Sequence, residues 1–434
     1  MLNLSADEIK KMWADGAGDR RKMTLRRNYY DGEATAAELL LNRMDRRTKT
    51  VIRSQWIKQI VDFHTSFLVG QPVSYSTAGD DKAALDAWIG LVRDSGLHLL
   101  DERNTADAIL YGRSVELVGF NGQAPVFQHF DPSSWAMIYD GDRLAGAIYH
   151  LDVPASTYFE GEIQKEPRSI FWTYDDTTIA RYEDLGVKGL VAVGKPKAHN
   201  LGAIPVIDYR FGRKPFVGPA LINEVDVWAV LRGAMVDDVK YCVDALLMLK
   251  NVSMDKLLEE DDAGVTLFAR LQALGILPLE SEADASYLSR VVDTKKFEYA
   301  IGQVRQTIHE IGCMPDLDTK VQPTGTVGSQ TLEMFFQAAI QKASSFKRYL
   351  EKGLRQRIDL VNAIWSRLNK PTLQSVDIRI EPNLPKNDLA MMQYMSGLDG
   401  VLAKKDQIKL FSFVTNPDQA YANLMAERAE TPPE

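Results

Sequence analysis

The stretch that comes nearest to a chemical motif is Gly189-Leu-Val-Ala-Val-Gly194-Lys195. Two glycines and a lysine at this spacing match a phosphate-binding loop, in which backbone N–H groups cradle phosphates and the lysine reaches them. The match then fails. Pro196 stands where a magnesium-binding Ser or Thr is required. Lys197-Ala-His-Asn-Leu-Gly202 does not read as a helix, so no helix N-terminus would face the phosphate. A strand followed by a turn is the expected structure. The six histidines (64, 98, 129, 150, 199 and 309) form no HExxH and no pair at ligand spacing. His64 lies on an apolar helix face and is expected in a core or an interface. Acidic doublets occur at Asp80-Asp81, Asp175-Asp176 and Asp237-Asp238. A two-metal nuclease needs carboxylates converging from several elements, and nothing in the pattern assembles them. Asp237 and Asp238 fall inside a helical stretch and are expected to face solvent or a neighbouring subunit. Glu259 to Asp262 read as a solvated turn. No GxSxG elbow is present. Cys242 and Cys313 lack metal-type spacing and are expected to be buried, reduced thiols. The expectation is a protein with no catalytic residue, no metal and no cofactor.

The composition agrees with a structural role. The chain has 434 residues, 45% of them apolar and 25% charged, as in a soluble globular protein of several subdomains. No apolar run reaches the roughly 18 residues that would span a bilayer. The start, Met1 to Trp13, lacks a basic-then-apolar signal pattern, so synthesis and use in a cytosol are expected. Ser5 and Glu8 fit a helix capping box instead. The net charge is −8. Tight DNA binders are usually basic, because neutralised phosphates supply much of the affinity. The balance argues against a clamp on DNA and allows a surface past which DNA slides. Charge is also unevenly spread. Between Arg43 and Lys58 there are six bases and one acid. Residues 251–292 hold eight acids and three bases, and residues 340–370 hold eight bases and two acids.

The elements that must carry these residues fall into three regions. Residues 5–30 are helical with a break at Gly16-Ala-Gly18, and further helices cover 54–68, 81–94 and 100–111, with a short strand at Val73 to Thr77. Residues 113–209 break into eight short β-type runs: 114–120, 125–130, 135–139, 144–151, 169–174, 178–183, 188–194 and 204–209. The rest is dominated by long helices. From Pro219 to Lys250 apolar residues recur every three or four positions through Leu221, Val225, Trp228, Leu231, Met235, Val239 and Cys242. A second apolar stripe lies beside the first, so this rod packs against more than one neighbour. Another helix covers 293–312. The sixteen residues 313–328 hold two prolines, two glycines and three threonines and read as a loop. Loops of that length inside compact domains are usually functional. A helix over 329–368 follows, roughly 60 Å long if straight, with Gly353 as a plausible bend. A strand over 376–381 and short helices close the chain.

Several of these stretches resemble one family in the same order. They include Asn28-Tyr-Tyr-Asp-Gly32, the helix-to-strand step Lys58 to Tyr75, Ala108-Ile-Leu-Tyr-Gly112, and Asp131-Pro132 with Ile138-Tyr-Asp140. Leu201-Gly-Ala-Ile-Pro-Val206, Phe211-Gly212, Pro315-Asp316 and Glu381-Pro-Asn-Leu-Pro-Lys-Asn387 follow. Together they resemble the portal proteins of tailed bacteriophages, in the branch typified by long-tailed Bacillus phages. Gly328-Ser329 departs from the Ser-Gly often found at the start of the helix after the loop, and the segment between the two middle helices is short.

The resemblance implies an α+β subunit with wing, stem, clip and crown. Residues 1–217 would be the wing, with 113–209 its β-rich part. Stem helices would cover 218–250 and 293–312, the clip 251–292 and the tunnel loop 313–328. Residues 329–434 would supply a long wing helix and the crown. About twelve copies would form a closed ring at one capsid vertex, with double-stranded DNA passing through during packaging and ejection. The terminase large subunit, head-completion or adaptor proteins, and major capsid and scaffolding proteins would be the partners, with no membrane. Asp318, Lys320, Gln322, Thr324 and Thr326 would line the DNA channel. Trp228, Leu231, Met235 and Val239 would lie in the subunit interface. The basic face of 340–370, including Arg355 and Arg357, is expected to meet DNA, an internal partner, or acids of the adjacent subunit. Another virion structural protein, such as an adaptor or minor head protein, is the alternative. A nucleotide- or metal-dependent enzyme is a more remote one, resting on the degraded loop at Gly189.

Overall fold

A computed structural model describes residues 4–33, 50, 52–77, 81–212, 214–243, 246–250, 284–288, 294–316 and 329–383, with isolated positions between 404 and 426. The chain divides into two compact units. The first holds Met1–Glu33, Gln55–Ile222 and Ile308–Glu434, and the second holds Ala34–Ser54 and Asn223–Thr307.

The first unit opens with helices α1 (Ala6–Asp15) and α2 (Ala17–Asp31), separated at Gly16. The expected capping box is present. The Ser5 hydroxyl accepts from the Glu8 N–H at 3.3 Å, and Glu8 accepts from the Ser5 N–H at 2.8 Å. Gly32 ends α2 at φ 78°, the left-handed conformation that glycine adopts without a Cβ penalty. Helix α3 (Trp56–Val69), strand β1 (Ser74–Ser76), and helices α4 (Lys82–Asp94) and α5 (Leu97–Tyr111) follow. One face of α3 is buried through Ile57, Ile60, Val61, His64, Phe67 and Leu68, which places His64 in the core as expected.

The β region contains β2 (Arg113–Phe120), β3 (Pro125–Phe130), β4 (Trp135–Asp140), β5 (Arg143–Val153), β6 (Tyr158–Phe159) and β7 (Glu162–Ile163). It continues with β8 (Arg168–Tyr174), β9 (Thr178–Asp184), β10 (Leu190–Ala192), β11 (Lys197–Ala198) and β12 (Val206–Arg210). Each of the eight expected runs holds a strand. Strands β6, β7 and β11 have two residues each, too few for alternation to reveal them. One sheet has the order β12-β2-β3, and a second has β10-β9-β8-β5-β4 with β11 also on β9. All these pairings are antiparallel. Register places Trp135 opposite Tyr149, Tyr149 opposite Trp172, and Trp172 opposite Arg181. The ring centroids are 4.9 and 5.3 Å apart, and the Arg181 guanidinium sits 5.7 Å from the Trp172 ring. Cross-strand pairs of this kind each add roughly 0.2–1 kcal/mol and fix register.

Beyond the sheets lie α6 (Pro219–Val243), β13 (Leu246–Lys250), β14 (Asp284–Leu288), α7 (Thr294–Ile311), α8 (Ser329–Arg367) and β15 (Asp377–Arg379), which pairs with β1. Helix α8 buries Phe336, Ala339, Ala343, Phe346, Leu350, Leu354, Ile358, Val361 and Trp365 in the first unit, at the three- and four-residue steps of one helix face. Gly353 serves a close approach. A Cβ there would lie 2.3 Å from the Tyr209 ring, so only glycine lets α8 press onto β12.

The second unit holds most of α6 and α7 and the antiparallel pair of β13 and β14, matched from Leu246↔Leu288 to Lys250↔Asp284. Here the structure departs from the sequence reading. The helix expected to reach Lys250 stops at Val243, and Leu246–Lys250 is a strand. A short apolar run such as Leu-Leu-Met-Leu satisfies either periodicity, and the distant partner strand decides it.

Candidate functional site

The described segments on either side of residues 317–328 both meet one helix, α3. The first foot is the end of α7. The His64 Nε2 hydrogen-bonds the Gly312 carbonyl at 2.7 Å. That contact fixes the tautomer, since a carbonyl only accepts, so Nε2 carries the proton. Burial, and behind it the nearby Lys342, hold the His64 pKa down to about 4, although the Gly312 contact opposes them. Gly312 admits no side chain: a Cβ would lie 2.8 Å from the Ile308 carbonyl and 3.0 Å from Ile60 Cδ1. The chain then turns through Cys313, a non-glycine residue at φ 47°, and Met314 N–H donates to the His309 carbonyl at 3.0 Å. His309 packs edge-on to Trp56 at 5.4 Å, and its Nε2 lies 4.0 Å from Asp316. The second foot is the start of α8. Phe336 stacks on Phe63 and Phe67, with centroids 6.4 and 6.0 Å away. Nearly three turns on, Phe346 meets His64 and Phe216, and the Lys342 ammonium lies 4.6 Å from the Phe216 ring. An aromatic cluster on one helix thus holds the chain on both sides of residues 317–328. The expected channel residues Asp318, Lys320, Gln322, Thr324 and Thr326 lie outside the described residues.

The face expected at a subunit interface is on α6. Trp228, Leu231 and Met235 are half-buried, Val239 is exposed, and Val227 beside them is exposed as well. The Arg232 guanidinium lies 4.8 Å from the Trp228 ring. Next to this face, within the second unit, a groove of about 590 Å³ is lined by Met235, Val236, Val239, Ile301 and Gly302 and by the charged Arg232, Lys240, Glu298 and Arg305. Tyr299 on α7 is 71% exposed. An uncovered apolar patch rimmed by charge marks an interaction surface. Asp237 corrects the sequence reading. It is buried, and its carboxylate accepts from the Thr50 N–H at 3.0 Å and from the Thr50 hydroxyl, so it ties α6 to a neighbouring segment instead of facing solvent.

A second correction concerns the basic face of α8. Arg355 is exposed and donates to Glu351 at 2.7 Å. Arg357 is fully buried. Its Nε and Nη2 donate to the two Glu116 oxygens at 2.7 and 2.6 Å, and its Nη1 donates to Asp101 at 2.7 Å. Glu116 also accepts from the Tyr209 hydroxyl at 2.9 Å and from Asn104 Nδ2 at 2.7 Å. Ser114 completes the network by donating to Asn104 at 2.8 Å. Burial alone would lower the Arg357 pKa, but Asp101 and Glu116 raise it well above its ordinary value, so the guanidinium stays charged. Burial raises the Asp101 pKa, and Arg357 opposes that rise. The network joins α5, β2, β12 and α8 and offers no charge to any partner.

Comparison with known proteins decides the family. The family described as "Phage portal protein, SPP1 Gp6-like" matches residues 9–434. The chain belongs to this family of phage portal proteins. It is a portal protein and a virion component, in a structural family. No curated protein matches the chain. Among solved structures, the portal chain is similar to a chain in the neck of an empty GTA particle computed with C6 symmetry. The identity is 12% and the TM-score 0.44, over 82% of the portal chain and 89% of the other. The portal's described residues contain no group of three or more His, Cys, Asp or Glu placed to hold a metal ion. No described helix is long and apolar enough to cross a membrane. The degraded phosphate loop of the portal forms β10, a turn at Gly194 with φ 77°, and then β11, with no helix behind it.

Proposed function

We propose that about twelve copies of this portal protein close into a ring around an axial channel at one capsid vertex. Double-stranded DNA passes through the ring during packaging and ejection. The terminase large subunit and head-completion or adaptor proteins dock on it, and major capsid and scaffolding proteins surround it. Assembly takes place in the host cytoplasm, and the subunit catalyses nothing itself. In this reading residues 1–217 form the wing. The helical parts of 218–250 and 293–312 form the stem, 251–292 the clip, 313–328 the tunnel loop, and 329–434 the long wing helix and crown. The observation that carries the reading is the bare apolar face of α6 with its groove toward α7, a surface that needs a cover. A head-to-tail ring gives each copy the same cover from its neighbour. Trp228, Leu231, Met235 and Val239 lie in that contact. The two-footed anchorage on α3 supports a loop held at fixed points, as a channel lining must be. Asp318, Lys320, Gln322, Thr324 and Thr326 make weak polar contacts with DNA, in keeping with a net charge of −8.

Electron microscopy of the purified protein tests the reading. Rings with a central hole and near twelvefold symmetry are expected, and a monodisperse monomer at high concentration would overturn it. Lys320→Ala is expected to impair packaging or DNA retention. Unchanged packaging and retention would remove that residue from the channel contacts.

A further inference from the structure

The larger sheet ends at β10, whose outer edge pairs with no strand among the described residues. Its surroundings are apolar and bare. Val191 and Val193, two residues apart, are exposed, and the turn before them exposes Leu185 and Val187, the latter completely. Lys188, Lys195 and Lys197 are exposed around these side chains, and none has an ion-pair partner among the described residues. An open apolar strand edge is a template for another chain unless something covers it.

The hairpin of β6 and β7 is the other uncovered feature of the same sheet region. Tyr158 pairs directly with Ile163 across it, and they are 72% and 67% exposed. So short a hairpin has little stability of its own. It is held from behind: Gln164 Nε2 donates to the Phe159 carbonyl at 3.0 Å, and Glu160 pairs with Arg181 and lies 3.7 Å from Arg168. Its remaining exposed charges are Glu162, Lys165 and Glu166. The hairpin therefore presents two large apolar side chains and an excess of acid, and the β10 edge presents apolar side chains and three lysines.

We propose that the Tyr158–Ile163 hairpin of one copy covers the β10 edge of the next copy, with Tyr158 and Ile163 against Val187, Val191 and Val193 and with Glu162 and Glu166 meeting Lys188 and Lys195. The inference rests on the ring reading. Each subunit of a head-to-tail ring must carry two different surfaces that fit one another. These two differ in shape and are complementary in charge. The hairpin and the start of β10 also lie near one end of the sheet, where register aligns Val153 with Arg168, Ser169 with Asp184, and Asp184 with Leu190. Rotation about a single axis preserves height, so meeting surfaces at similar heights suit a ring.

The test is oxidative cross-linking of the full chain carrying Ile163→Cys and Val191→Cys, with the parent protein and each single variant as controls for Cys242 and Cys313. A ladder of covalent oligomers is expected on a denaturing gel from the double variant alone. Rings visible by electron microscopy without a ladder would overturn the hairpin contact and leave the ring standing. Absence of rings in the parent protein would overturn both. In the cross-linking background, Glu162→Lys with Glu166→Lys is expected to cut ladder yield several-fold, and adding Lys188→Glu and Lys195→Glu to restore it. A ladder insensitive to both reversals would remove the charge pairing from the proposal. Rings that keep their subunit contacts with both patches reversed, yet fail to join capsids, would assign the edge to a different partner and overturn the inference.

Discussion

Arg357 shows how one residue reads differently in a sequence and in a fold. It sits among the eight bases of 340–370, and charge counting places it on a solvated face. Its spacing said otherwise. Leu354 and Val361 flank it at three and four residues, so it falls on the apolar stripe of α8, and the inward positions of β2 include Glu116. An arginine on a buried stripe and a glutamate inside an apolar strand are each a signal that a partner is required. Which partner answers which residue depends on a contact 241 positions apart, and spacing cannot supply that. Removing one member leaves the others buried and unpaired, a cost of about 3–5 kcal/mol. Arg357→Ala is therefore expected to lower stability to urea by that amount, and Arg357→Lys to rescue little, because an ammonium cannot reproduce the forked contact with Glu116. A loss below about 1 kcal/mol would show that the network is not held as described. His64 makes a prediction about acid. Its folded pKa of about 4 lies below the ordinary 6.5, so the buried neutral ring stabilises the fold above 6.5. That contribution is lost as pH falls toward 4 and amounts to roughly 3 kcal/mol. His64→Gln can still donate to Gly312 but cannot titrate. Urea unfolding at about pH 7.5 and about pH 4.5 is expected to show a smaller acid loss for the variant than for the parent, and equal losses would exclude His64 as the acid-labile group.

At the scale of elements, most of the fold was legible because periodicity is local. The buried stripe of α8, the inward face of α3 and the eight longer β runs all repeat within a few residues. Legibility ended where long-range pairing decides. Leu246–Lys250 became a strand because Asp284–Leu288 lies beside it, and that is not visible from the apolar run itself. Gly353 is a similar case. A glycine in a long helix suggests a bend, and the facing Tyr209 ring that excludes a Cβ belongs to a strand far away in sequence. The candidate site divides along the same line. That Trp228, Leu231, Met235 and Val239 recur at three- and four-residue steps along α6 could be read from the sequence. The contacts of the ends of α7 and α8 with Phe63, His64 and Phe67 could not, since they depend on α3 meeting two distant segments. Gly353→Ala puts the new methyl against Tyr209 and strains its hydroxyl away from Glu116. The expected cost is about 1–3 kcal/mol in thermal or urea unfolding. The double variant with Tyr209→Phe should cost less than the two single changes added, because both act on one contact. Strict additivity would separate Gly353 from Tyr209.

At the scale of the whole molecule, the question is what covers the surfaces that one copy leaves bare. The face of α6 carries Val239 and half-buried Met235 beside a groove that mixes apolar side chains with Arg232, Lys240, Glu298 and Arg305. A carboxylate placed there costs little in an isolated subunit, where solvent reaches it. In a closed ring it is trapped against the neighbour and loses most of its hydration, which Arg232, Lys240 and Arg305 around the groove offset only in part, leaving a net cost of about 1–4 kcal/mol. That asymmetry separates assembly from folding. Met235→Glu and Val239→Glu are therefore expected to leave the unfolding midpoint of the monomer within about 0.5 kcal/mol of the parent. Each is expected to reduce the population of rings at least tenfold at equal concentration, since about 1.4 kcal/mol per contact already gives that factor. In a ring the same penalty recurs at every interface, so the effect compounds with the number of copies. Analytical ultracentrifugation beside electron microscopy reads both quantities on one sample. Glutamate variants that fold normally and still close into rings would place the contact on another face. Glutamate variants that unfold would show that this face packs inside the subunit, and the case for α6 as the ring surface would fall with them.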